Sequence, residues 1–330
     1  MKRSLIFLSM FQPLYVIFAS SIGFTLANAL FMKNWNSPFL TRESNGHFVQ
    51  VSAPNFIAFV FVVAIMLAFV TVVFLPLWKQ LIDLVRENIS GQNTLNKLGT
   101  LVMLLLGALS FILVLQVYTQ ISSSVRIMPE GLWPAGLAER LGVLLSISFI
   151  AIMPVPLIIL LIFGKTYEVT KKISSHKGDE KKLLGFAYDL IRYRNLLQNC
   201  LLIIGVIVSG VPIITAIMRS AFMELDATGK VETMWPILYP LMYGLGFTTV
   251  LIMFYAPAHL MLNQAGRQLR DTLCPIDEIS AIDKTINMRK ELDDWLQINL
   301  NLVENLKAGV FTLAPLITGF ITSIPGLKIF

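Results

Sequence analysis

The stretch Ala53–Trp78, APNFIAFVFVVAIMLAFVTVVFLPLW, runs for 26 residues without a charge. A hydrocarbon core about 30 Å thick needs roughly 20 such residues in a helix rising 1.5 Å per residue. This run therefore reads as a complete membrane crossing. Five more charge-free runs read the same way: Ser4–Met32, Leu98–Gln120, Leu141–Gly164, Leu196–Met218 and Trp235–Leu262. A seventh, Ala308–Leu327, carries Pro315 and Pro325, so it either crosses or dips in as a re-entrant helix, and a crossing is expected. The fold class is all-α: a polytopic transmembrane helical bundle of six long spans plus a C-terminal seventh.

Composition agrees. The chain is 55% hydrophobic with mean hydropathy +0.72, and its 26 Lys and Arg and 20 Asp and Glu concentrate between the apolar runs. An ordinary soluble domain is excluded. The first run follows Lys2 and Arg3 and contains Ala27-Asn28-Ala29, which imitates a signal-peptidase site. Its apolar stretch exceeds that of a signal peptide, so it is read as an uncleaved anchor.

Orientation follows from Lys and Arg counted on alternate sides. The N-terminus holds two, the loop after the second run three, Lys165–Arg194 eight and the tail Asn263–Lys307 six, making 19 against six on the other side. By the positive-inside rule the N-terminus, the fourth loop and the tail face the cytoplasm. The expected setting is a bacterial inner membrane. The chain divides into a six-span domain 1–262 with a basic cytoplasmic loop 165–194, a cytoplasmic amphipathic helical segment 263–307 and a C-terminal membrane helix 308–330.

The outward loops each set a Trp near a Pro, at Trp35/Pro38, Trp133-Pro134 and Trp235-Pro236. They mark either three hairpins of similar length or the ordinary liking of Trp for headgroups and of Pro for helix starts. In the first run Ala19, Gly23 and Ala27 recur every four residues, a seam that lets another helix approach closely.

Chemical motifs are few. No phosphate loop, serine-nucleophile elbow or zinc-protease motif occurs, and the three histidines His47, His176 and His259 are scattered. No metal, cofactor or catalytic residue is expected, and an enzyme is not the expected class. None of the six runs holds the charge that marks a proton relay or coupling-ion site. Helix breaks at Met153-Pro154-Val155-Pro156, Pro240, Gly244-Leu245-Gly246 and Pro257 are the remaining places for an ion site, or else ordinary kinks. Asp293-Asp294 reads as a solvated face, and His259 as an interfacial hydrogen-bonding residue.

Two features carry the functional reading. Lys171, Lys172, Lys177, Lys181, Lys182, Arg192 and Arg194 in the fourth loop make a basic surface that attracts anions: lipid headgroups, a nucleotide or an oligonucleotide. In the C-terminal segment Asn301, Asn305, Thr312, Pro315, Gly319, Thr322 and Gly326 form a small or polar stripe opposite Leu302, Leu306, Val310, Leu313, Ile317, Phe320 and Ile324. A period near 3.5 turns that stripe toward one axis, as several copies around a pore require. Residues Glu291–Lys307 read as an amphipathic helix running into that segment, with Pro275, Asp277 and Glu278 starting the helix before it.

The reading is a homo-oligomeric membrane channel or pore, gated by an anionic cytoplasmic ligand and lined by the C-terminal stripe. Its general plan, a polytopic chain with small loops and a basic cytoplasmic face, is similar to membrane effectors of bacterial anti-phage systems, which depolarise the cell. The alternatives are a non-conducting assembly or anchoring subunit, whose tail 292–306 binds another protein through Leu292, Trp295, Leu296 and Leu306, or a secondary transporter.

Overall fold

In the computed structural model, the described residues are 2–31, 41–44, 47–50, 54–89, 137–225, 236, 238–275, 282–298, 313–314, 317 and 320–321. They form helices α1 (Lys2–Phe31), α2 (Pro54–Ile89), α3 (Leu137–Ile152), α4 (Pro154–Ser175), α5 (Glu180–Leu225), α6 (Tyr239–Leu273) and α7 (Ile282–Trp295). A short antiparallel hairpin, β1 (Thr41–Ser44) with β2 (His47–Gln50), stands outside the all-helical expectation. Its register pairs Ser44 with His47, leaving Asn45-Gly46 between them, the dipeptide that tight hairpins favour.

Four stretches are long and apolar enough to cross a bilayer: Ile57–Arg86, Arg140–Ser175, Glu180–Ala221 and Tyr239–Leu273. They account for the second, fourth, fifth and sixth runs. The third run lies outside the described residues, and so does all of the seventh except five helical positions. Large apolar side chains point outward along the helices, with Phe18 at 66% and Met253 at 70% exposure. Such a coat belongs against lipid, since it is far more apolar surface than a monomer in water shows. The apolar helices are those of a membrane protein.

Three apolar clusters stack along the bundle and fix the direction of each helix. At one end Ala27 of α1, Phe59 and Val63 of α2, Leu141 of α3 and Met218 of α5 pack together. Val70, Ala151 and Ile207 fill the middle. At the other end Leu77 and Leu84 join Ile162, Leu190, Leu262 and Leu269. The charged ends of α2, α4, α5 and α6 thus gather at one end of the bundle, which alternating crossings require.

The first-run seam packs within the chain. Ala19 and Ala27 are buried, and a Cβ on Gly23 would fall 2.3–2.7 Å from backbone atoms of Leu67 and Ala68. Only glycine allows α1 and α2 to lie that close. Nearby, Pro76 has no N–H for the carbonyl of Val72. The Tyr15 hydroxyl donates to that carbonyl at 3.0 Å, so the acceptor that the proline leaves free is satisfied by α1. At the far end of α1, Arg140 donates to the Leu30 carbonyl at 3.1 Å, capping a terminal acceptor that the helix itself leaves unpaired.

Residues 165–194 are not a loop. α4 continues to Ser175, a turn spans 176–179, and α5 begins at Glu180. The 46 residues of α5 extend about 69 Å, well beyond the roughly 30 Å hydrocarbon core, so the α4/α5 pair projects past the membrane. Leu183, Ala187, Leu190 and Tyr193 continue the buried stripe through the charged region, which keeps it helical.

The helical path continues through the candidate breaks. Met153 interrupts the α3–α4 path by one residue while keeping helical dihedrals, and its N–H still donates to Phe149 at 2.9 Å. α6 runs unbroken through Pro240, Gly244, Gly246 and Pro257. The unwound backbone that a transporter's midplane ion site uses is therefore not found at these positions.

Candidate functional site: a buried arginine beneath the tail

At the charged end the tail folds back onto the bundle. α7 ends at Trp295, and the chain turns at Gln297, whose φ of 55° is left-handed. Ile298 N–H donates to the Asp293 carbonyl at 2.9 Å and Gln297 N–H to that of Asp294 at 3.1 Å. That pair of bonds is a Schellman closure, with Gln where Gly is usual. Residues 291–307 thus do not form one straight helix into the last segment. Asp277 and Glu278 lie outside the described residues.

The turn is seated on Arg194. This guanidinium is 3% exposed and donates to the Gln297 carbonyl and, at 2.8 Å, to Oδ1 of Asn263. Because the Asn263 oxygen faces Arg194, its NH2 faces His259 Nε2, at 3.1 Å. Nε2 must then accept, which puts the ring proton of a neutral imidazole on Nδ1, 3.4 Å from the Tyr255 hydroxyl. The two rings stack at 5.4 Å with 17° between their planes. His259 is thus one link in a chain Tyr255–His259–Asn263–Arg194–Gln297, rather than a lone interfacial imidazole.

A second tie lies beside the first. Arg270 forks onto Asp293 at 2.9 and 3.2 Å and also meets Asp271, which accepts from Arg289. Asp293 is 7% exposed, so the solvated-face reading is corrected for it; Asp294 is exposed. Charge-assisted bonds of this kind are about twice as strong as neutral ones. Ile298 fills the space above Gly266, where a Cβ would come 2.9 Å from it, and Trp295 meets Tyr188 edge-on at 5.5 Å. Leu292 and Leu296, read as a face for another protein, pack into this chain's own core instead.

The basic set separates by location. Lys171, Lys172, Lys177, Lys181 and Lys182 are exposed around the tip of the α4/α5 pair. Lys171 lies 4.8 Å over the Tyr167 ring, and Lys182 pairs with Asp179 at 3.1 Å. Asp179 also accepts from the Lys182 backbone N–H as an N-cap of α5. The Lys182 side-chain hydrogen bond holds the Asp179 carboxyl below the usual carboxylate range. Arg192 is exposed on a different face of α5, beside α2. Arg194 is corrected: it belongs to the interior, not to the anion surface.

All seven pore candidates, Asn301, Asn305, Thr312, Pro315, Gly319, Thr322 and Gly326, lie outside the described residues, as does Leu306. Of the opposite stripe Leu313, Ile317 and Phe320 are described, together with Ile321. They are helical and 42–61% exposed. Among the described residues no cluster of three or more His, Cys, Asp or Glu is placed to hold a metal ion.

Sequence reasoning missed Asn263, Arg270, Gln297 and the burial of Asp293. The available signal was the spacing of Tyr255, His259 and Asn263, three polar residues four apart on one helical face. The arrangement as a whole is a helical membrane protein whose tail is latched to its bundle by buried Arg194 and half-buried Arg270. Comparisons with family models, curated proteins and solved structures found no match to this chain.

Proposed function

We propose that the protein is a homo-oligomeric membrane channel, its last segment lining the path through Asn301, Asn305, Thr312, Pro315, Gly319, Thr322 and Gly326. The observation that carries this reading is the bare apolar side of that segment. Leu313, Ile317, Phe320 and Ile321 stand exposed on the single chain, so this side is left for lipid or a second copy while the small and polar stripe takes the axis. Conduction through such a lining needs no acid, base or cofactor, and no enzymatic step is proposed. Phe320 or Ile324 would close the path by dewetting.

The latch gives the channel its coupling. The exposed lysines at the α4/α5 tip receive an anionic regulator, a headgroup, nucleotide or oligonucleotide, and the same helix α5 carries Arg194, which holds the turn leading to the last segment. The gathering of basic helix ends at one end of the bundle supports a cytoplasmic N-terminus and tail, in a bacterial inner membrane. Toxicity on expression, as expected of a depolarising effector, is a cellular correlate.

The test is ion flux from liposomes holding the purified protein. Wild type conducts, Gly319→Leu blocks, and Thr322→Ala, which keeps size but removes a hydroxyl, changes the conductance. No flux in wild type, or flux indifferent to both changes, overturns the reading. A second reading, an assembly subunit without flux, is favoured by Ile286 and Met288, each about half exposed on α7. It predicts a protein partner lost on Ile286→Asp.

A further inference from the structure

Asn263 stands between two groups that make opposite demands on it. Arg194 stays charged at any physiological pH and has only N–H to offer, so Asn263 must turn its oxygen toward the guanidinium, 2.8 Å away. Its amide nitrogen then faces His259 Nε2 at 3.1 Å, and Nε2 serves that bond only while it keeps its lone pair. A proton on Nε2 sets two donors against each other. Relief requires the Asn263 amide to rotate by half a turn, which gives its oxygen to the imidazolium and takes that acceptor from Arg194.

Charge acts in the same sense. On α6 itself Tyr255 stacks on the ring. The bond from Gln268 to the Thr170 carbonyl sets α4 beside α6 in a register that brings Lys165 and Glu168 near this level. The tail helix brings Arg289 and Asp293, both engaged with the Arg270/Asp271 pair. Of these neighbours Arg194, from α5, is the one whose charge acts on His259. An imidazolium here adds a second positive charge next to a buried guanidinium.

The tail enters through the other prong of the fork. The guanidinium that Asn263 orients also holds the Gln297 carbonyl, and it is 3% exposed with the turn seated on it. With the tail lifted, water solvates the guanidinium, Asn263 is no longer committed to it, and the ring accepts a proton without conflict. His259 is half-buried where the sixth run closes, so protons reach it from the headgroup level.

We infer that His259 is a proton switch on the latch: the neutral ring belongs to the docked tail, and protonation at Nε2 releases residues 285–298 from Arg194. The docked state carries no proton at Nε2 and the undocked state accepts one. Docking is therefore complete above the ordinary imidazole range and weakens as pH falls through it. The switch operates whether or not the chain conducts.

The experiment is hydrogen exchange of the detergent-purified full chain between pH 7.5 and 5.5, with protection taken relative to the intrinsic rate at each pH. This window lies above the ordinary carboxylate range, and imidazole titrates within it. Protection at 285–298 in wild type should fall about tenfold while that at 255–269 holds. Tenfold is the factor expected when only the undocked form takes a proton, with an ordinary imidazole pKa of about 6.5. His259→Gln keeps an acceptor at the ε position that takes no proton, so its tail should stay docked throughout. Asn263→Asp offers carboxylate oxygens to Arg194 and to the imidazolium together, so its tail should hold or tighten in acid. Nuclear magnetic resonance of histidine-labelled wild type at pH 7.5 should show His259 as the Nδ1–H tautomer, a readout that needs no variant. An Nε2–H tautomer, a tail indifferent to pH in wild type, or an acid release of equal size in His259→Gln or Asn263→Asp would each overturn the switch.

Discussion

Replacing Arg194 by Met separates the latch from the bundle. Met is of similar length and apolar, so the site stays filled while two charge-assisted bonds vanish. The bond to Gln297 exists only when the tail is docked. Bonds to charged groups contribute about 1.5–3 kcal/mol, so the docked-to-undocked ratio should fall roughly 10- to 150-fold. The bond to Asn263 lies within the bundle. Its loss leaves the Asn263 oxygen unpaired, a cost of about 1–3 kcal/mol that is offset in part because no guanidinium has to be desolvated. The bundle should therefore melt near the wild-type temperature while the tail loosens. Hydrogen exchange reads both at once: residues 285–298 should lose protection and residues 255–269 should keep it. Arg194→Lys keeps the charge but not the two-pronged fork and should fall between Met and wild type. Unchanged protection in the tail of Arg194→Met, or protection lost evenly through the bundle, would refute the latch.

Further expectations follow from other contacts. Gly23→Ala forces its new Cβ against the backbone of Leu67 and Ala68 and should destabilise the α1–α2 pair by about 1–3 kcal/mol, seen as a lower melting temperature in detergent. Gln297→Gly removes a left-handed non-glycine residue and should tighten tail docking by up to about 1 kcal/mol, read as slower exchange at 285–298. Asp179, whose folded pKa is depressed by Lys182, contributes to the α4/α5 turn above the usual carboxylate range and loses that contribution as pH falls through its lowered value. Protection at 176–183, measured relative to the intrinsic exchange rate at each pH, should therefore fall in acid for wild type, and that dependence should shrink in Asp179→Asn.

What the residues reveal on their own depends on how local the signal is. Charge-free runs reveal helices because hydrocarbon leaves the backbone no other partner, and the four-residue spacing of Ala19, Gly23 and Ala27 reveals the seam now seen against α2. Reading charges as loop hid the α4/α5 extension, although Leu183, Ala187 and Leu190 carry a helical period through it. The small hairpin has a local mark in Asn45-Gly46, which a reading for charge-free runs passed over. The latch was not legible, because Arg194 meets partners 69 and 103 positions away and its burial depends on how three helices and a turn converge. The left-handed turn at Gln297 carries no glycine to mark it. For the same reason Leu292 and Leu296 looked like a surface for a partner until the fold brought the bundle beneath them.

The most direct measurement of the central claim is the structure of the assembled protein in a lipid bilayer disc. The account predicts a symmetry axis passing beside Thr312 and Thr322, with Leu313, Ile317 and Phe320 turned to neighbouring copies or lipid. Thr312 and Thr322 sealed against another helix of the same chain, or facing acyl chains away from any axis, would contradict it.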